Sequence, residues 1–111
     1  MSVRIPPDHV LLAVRSDLLN FIFALDRIPF RQGSAITSWW RDPAVNQAVG
    51  GSPLSQHLIG LALDVVTPNP TEVVAAAFQA GIVAIDERTH VHLQLRQAGS
   101  RETLRLITLT A

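Results

Sequence analysis

The segment Leu61-Ala62-Leu63-Asp64-Val65-Val66 sets the tightest limit on what this chain can fold into. Its branched, apolar content is that of a buried strand, and Pro68-Asn69-Pro70 ends it. An aspartate inside such a run is costly to bury unless it is paired or bound to a metal. Alternate side chains of a strand share a face, so Asp64 lies with Ala62 and Val66, and small Ala62 leaves space beside it. His57 stands just upstream, before Gly60, a residue that lets the chain bend or approach closely.

A second strand carries the same logic further. In His90-Val91-His92-Leu93-Gln94-Leu95-Arg96, period two puts His90, His92 and Gln94 on one face and Val91, Leu93 and Leu95 on the other. The apolar face packs on a core, and the other presents two imidazoles to a cleft. The chain has four histidines and no cysteine. Disulfides and thiolate sites are therefore excluded, and any transition-metal site must use His, Asp or Glu. His and Asp suit zinc, for which three protein ligands plus water is the catalytic arrangement, but the same donors accept other divalent ions. His9, near the start of a helix, reads as structural or exposed.

The remaining elements follow from periodicity and breakers. Leu11, Val14, Leu18, Phe21 and Leu25 recur at helical spacing, so one helix is expected over residues 10–25, stopped by Pro29. Gln32-Gly33-Ser34 reads as a turn and Ala35 to Trp39 as a short strand. Asp42 suits an N-cap with Pro43 at the first helical position, giving a helix to about Ala48 and a loop over residues 49–53. Thr71 caps a helix to about Ala80, with Gly81 at its end. Val83 to Ile85 and Val91 to Leu95 form a hairpin around Asp86-Glu87-Arg88-Thr89, and Leu104 to Leu109 a last strand. The expected fold is α+β: one small domain over residues 1–111 with a central antiparallel sheet flanked by helices.

Composition narrows the function classes. Hydrophobic residues make up 48% and charged residues 16%, enough for a core and too little charge for a disordered chain. The formal net charge is zero, so no basic field collects nucleic acid or an anionic membrane. The richest apolar stretch, Val73 to Ile85, is shorter than the ~18 residues of a membrane span. Met1 to Pro7 lacks the apolar core of a signal peptide. Synthesis in the cytoplasm without a signal peptide is expected, with other means of delivery if the substrate is the cell wall. Oligomeric state is open, and Trp39 and Trp40 could line a cleft, fill the core or sit at an interface.

The segment Ser55-Gln56-His57-Leu58-Ile59-Gly60-Leu61-Ala62-Leu63-Asp64 resembles the S-x-H-x-x-G-x-A-x-D motif of the M15 zinc peptidases. That family includes D-alanyl-D-alanine carboxypeptidases, dipeptidases and phage endolysins, and the hedgehog signalling domains share its zinc arrangement. Ser38 to Asn46 is similar to the family's S-G-Y-R-S-P-x-x-N segment, Val49-Gly50-Gly51 to its next loop, and His90-Val91-His92 to its H-x-H element. The resemblance spans about Ile36 to Arg96.

It implies a hedgehog/DD-peptidase-like fold with one zinc ion per chain on His57, Asp64 and His92. It further implies His90 and Arg41 as groups that stabilise the oxyanion, with Arg41 and Ser55 on the substrate. Ser55 fits a turn cap as well. Many members carry Asp or Glu three residues before the last ligand, where this chain has Thr89. The hedgehog domains place a Glu six residues before it, matching Asp86, so Asp86 is the expected base and Glu87 the alternative. The implied activity is hydrolysis of a peptide bond in peptidoglycan stem peptides or other D-Ala-containing peptides, of carboxypeptidase, endopeptidase or dipeptidase type. A phage lysin or virion-associated enzyme acting at the cell wall is one setting, and a cytoplasmic enzyme recycling wall fragments another. The alternative is a zinc-stabilised binding or phage structural domain of the same fold that has lost catalysis.

Overall fold

The computed structural model describes residues 3–95, and among these residues four short antiparallel strands organise the fold. The elements are α1 (Asp8–Ala13), α2 (Arg15–Leu25), β1 (Ala35–Ser38), α3 (Pro43–Ala48), a 3-10 turn (Gln56–Ile59), β2 (Ala62–Val66), α4 (Pro70–Ala80), β3 (Ile82–Asp86) and β4 (Val91–Leu95). The sheet order is β1-β2-β4-β3, and every neighbouring pair is antiparallel. The α+β architecture is thus the expected one. The strand expected over Leu104 to Leu109 lies outside the described residues.

Strand β2 sits inside the sheet, and Ala62 to Val65 are all buried. Its two faces have different neighbours. Leu63 and Val65 join Phe21, Ala24 and Ile28, Val73 and Ala77 of α4, Ile82, and Val91 and Leu93 of β4 in the main core. Each fully buried large side chain there contributes roughly 1.5–3 kcal/mol. Asp64 points the other way, toward the 3-10 turn and the loops.

The helix expected over residues 10–25 is broken at Val14, where φ is −111° and ψ is 14°. Val10 and Val14 pack with Leu58, Ile59 and Leu61 in a second cluster, while Phe21 and Ala24 belong to the main core. A straight helix presents one stripe, and the break lets the two halves serve two cores. The inward face is Val10, Val14, Phe21 and Ala24, so Leu11 and Leu25 sit at its half-buried margin. The other expected elements lie within two residues of their predicted bounds. Asp42 does cap α3, its carboxylate accepting the Val45 N–H at 2.8 Å, with Pro43 at the first turn.

Candidate metal centre

Three elements bring the site together. His57 rides on the 3-10 turn, which Ser55 caps by accepting the His57 N–H on its hydroxyl at 3.2 Å. Gly60 closes the turn in a left-handed conformation, φ 75°, that favours glycine. Both tryptophans hold this turn from β1's end. Trp39 donates its indole N–H to the Gly60 carbonyl at 2.8 Å, and Trp40 donates to the Leu58 carbonyl at 3.0 Å. Neither role was legible in the sequence, because the spacing gives no hint that these rings bind backbone.

Asp64 and His92 are direct cross-strand partners on β2 and β4. Such partners share a face of the sheet, so the pairing sets imidazole and carboxylate side by side. Asp64 Oδ1 lies 3.3 Å from His57 Nε2 and 3.2 Å from His92 Nδ1. One donor atom from each of the three residues falls within 4.8 Å of the others. Zinc bonds of about 2.0–2.1 Å in tetrahedral geometry put neighbouring ligand atoms about 3.3 Å apart. The two separations match that edge.

The tautomer of His57 also fits. Its Nδ1 is 2.6 Å from the Trp39 carbonyl, which accepts only, so Nδ1 carries the proton and Nε2 keeps a lone pair toward Asp64. His57 is 1% exposed and Asp64 6%, so neither group has water as a substitute partner. The donor set of two imidazoles and a carboxylate suits zinc and other divalent ions.

Charge at the site is balanced by proximity. Burial disfavours the Asp64 carboxylate, yet in the absence of an ion the His57 and His92 ring nitrogens that face it can carry protons, and the hydrogen bonds they donate outweigh that penalty and hold the group well below the usual carboxylate range. The same bond to Asp64 raises His92 above its ordinary value, against the opposing effect of burial. The second carboxylate oxygen of Asp64 accepts from Arg41 at 3.0 Å. Arg41 in turn reaches the Asn46 side-chain oxygen at 3.3 Å, and buried Asn46 donates to the Ser52 carbonyl at 2.8 Å. Asn46 thereby ties Arg41 to the loop that walls the cleft, a role the sequence reading did not assign.

The cleft in front of these groups holds about 630 Å³. Arg41, Ser55, Glu87, His90 and the loop from Val49 to Ser52 line it together with His57, Asp64 and His92.

A family model described as Peptidase M15 matches residues 24–94. The chain belongs to the M15 peptidase family. No curated protein and no solved structure matches it significantly. The matched interval contains the candidate site, from Arg41 to His92.

Within the candidate site of this M15 family member the residues expected from the sequence separate into two groups. His57, Asp64, His92, Arg41, Ser55 and His90 share the cleft. His90 Nε2 lies 3.8 Å from Asp64 Oδ1 and 2.8 Å from Glu87 Oε2, while its Nδ1 meets the Thr89 hydroxyl at 2.9 Å. Asp86 is placed elsewhere. It pairs with Val91 in the β3–β4 register, and Ile85 pairs with His92. Paired residues share a face, so Asp86 lies with Val91 on the side away from His92. Its carboxylate accepts the Arg88 N–H at 2.9 Å and shapes the turn. Glu87, one residue on, is the acid that lines the cleft.

Proposed function

We propose that this M15 peptidase is zinc-dependent and hydrolyses a peptide bond beside a D-alanine in the stem peptides of bacterial peptidoglycan. The observation that carries the metal reading is the convergence of His57 Nε2 and His92 Nδ1 on Asp64 Oδ1, each at a tetrahedral-edge separation from it, inside a cleft. The peptidoglycan substrate rests on the likeness of the Ser55–Asp64 motif to wall-cutting members. A divalent ion held there supplies Lewis acidity, polarising a carbonyl and acidifying water to near neutral pH.

The chain's own residues account for the rest of the chemistry. Glu87 accepts the proton of the attacking water and delivers it to the leaving amine. It takes this role in place of Asp86 because it lines the cleft and Asp86 faces away. His90, bonded to Glu87 at 2.8 Å, holds that carboxylate toward the cleft. Arg41 uses two bonds on Asp64 and Asn46, and a guanidinium has five N–H donors, leaving others for substrate. Ser55 combines its capping role with a place on the cleft wall.

The test is incubation of zinc-loaded protein with defined muropeptides, followed by mass, with and without a chelator. Chelator-sensitive loss of one alanine establishes a carboxypeptidase, and cleavage within a stem or cross-bridge an endopeptidase. Zinc bound stoichiometrically with no cleavage of stems, dimers or D-dipeptides overturns the catalytic reading in favour of a zinc-stabilised binding domain.

A further inference from the structure

Asp64 and His92 stand directly opposite each other on adjacent antiparallel strands. Opposite Cα atoms in such a ladder are only about 4.5–5.5 Å apart. His92 therefore meets the carboxylate with its nearer ring nitrogen, Nδ1, at 3.2 Å, and its farther nitrogen points away. His57, arriving from a turn instead of a paired strand, uses the farther nitrogen, Nε2. The two imidazoles thus need opposite tautomers to offer a lone pair to the same point. For His57 a backbone carbonyl fixes the choice. For His92 the partner is a side chain: Gln94 Oε1 lies 2.9 Å from Nε2. Gln94 is two residues along β4, and so on the same face as His92.

We propose that Gln94 is a positioning residue for the metal centre, whose amide oxygen holds His92 as the Nε2–H tautomer and so turns the Nδ1 lone pair toward the ion. The inference rests on the metal centre proposed above. An amide can rotate by half a turn and present its NH2 instead, which a backbone carbonyl cannot do. The His92 arm is consequently the one that a single substitution can mis-set. The partner of a metal-bound imidazole typically supports affinity by 10–100-fold.

The experiment compares zinc dissociation constants, by competition with a chelating dye, for the wild-type protein, Gln94→Leu and Gln94→Glu. Gln94→Leu removes the acceptor at similar size, and Gln94→Glu keeps an acceptor that cannot donate. Nitrogen-15 spectra of the zinc-loaded proteins follow the His92 Nε2–H. Expected are a ~10–100-fold weaker constant and loss of the protected Nε2–H signal in Gln94→Leu, with both restored in Gln94→Glu. Wild-type affinity and an unchanged Nε2–H in Gln94→Leu overturn the inference. So does a Gln94→Glu variant that lacks the protected proton, a result that decides the matter even if Gln94→Leu fails to fold. Absence of zinc binding by the wild-type protein instead refutes the metal centre itself, so the two failures are distinguishable.

Discussion

Replacing Glu87 by Gln isolates the proposed base with little disturbance to the fold. The substitution keeps the length of the side chain and an oxygen that accepts from His90, now 2.8 Å from Glu87 Oε2. It removes only the capacity to take a proton. Glu87 is 46% exposed and His90 28%, so their ion pair lies in the range of surface pairs worth about 0–1 kcal/mol. Global stability should therefore change by no more than about 1 kcal/mol. The candidate metal ligands His57, Asp64 and His92 are untouched, and the proposed stoichiometric zinc binding should persist. General-base catalysis contributes typically 10²–10⁴-fold, or about 2.7–5.5 kcal/mol of barrier. The assay is kcat on a muropeptide for zinc-loaded Glu87→Gln and Asp86→Asn, each checked for zinc content and unfolding midpoint. The first should lose about two to four orders of magnitude in kcat. The second, whose oxygen still accepts the Arg88 N–H, should stay near wild type. Full activity in Glu87→Gln, with loss in Asp86→Asn, refutes the argument from strand register.

Three further outcomes follow from the geometry. His57→Ala should reduce zinc affinity by more than the ~10–100-fold of a supporting residue, read by calorimetric titration; wild-type affinity excludes the assigned site. Gly60→Ala should cost about 1–2 kcal/mol in denaturant unfolding from its left-handed backbone alone, and more because the new Cβ would lie 2.7 Å from Pro6 Cγ. In the metal-free protein, Asp64 is lowered from 3.8 and so contributes stability above that pH, lost as the pH falls below it. His92 is raised from 6.5 and contributes stability below that pH, lost as the pH climbs through its raised value. Thermal midpoints of the metal-free protein should peak between about pH 4 and 6.5, and a flat profile across that range would count against the network.

The sequence disclosed the parts of this site that obey a period. Asp64 in an apolar run, and His92 on the polar face of an alternating strand, follow from period two alone. It did not disclose what depends on register. Whether the base falls on Asp86 or Glu87 turns on which residue of β4 faces Asp86, and a sequence with a four-residue turn leaves that open. The break at Val14 was hidden for a related reason: no glycine or proline marks it, and only the existence of two cores explains it. Asn46 bonds Arg41 and the Ser52 carbonyl and Gln94 bonds His92 through their side-chain amides, and neither residue type announces such bonds in advance. Leu104 to Leu109 lies outside the described residues.

Both tryptophans of the chain donate their indole N–H to carbonyls of the one turn that carries His57. The protein thereby contains its own optical probe of the metal centre. Indole emission shifts when its N–H exchanges a carbonyl for water, and here both indoles report on the same turn and its Gly60 cap. Opening of that turn would change the emission colour while the sheet's circular dichroism held steady. Arrival of an ion at His57 could then be timed in a stopped-flow instrument without any added dye.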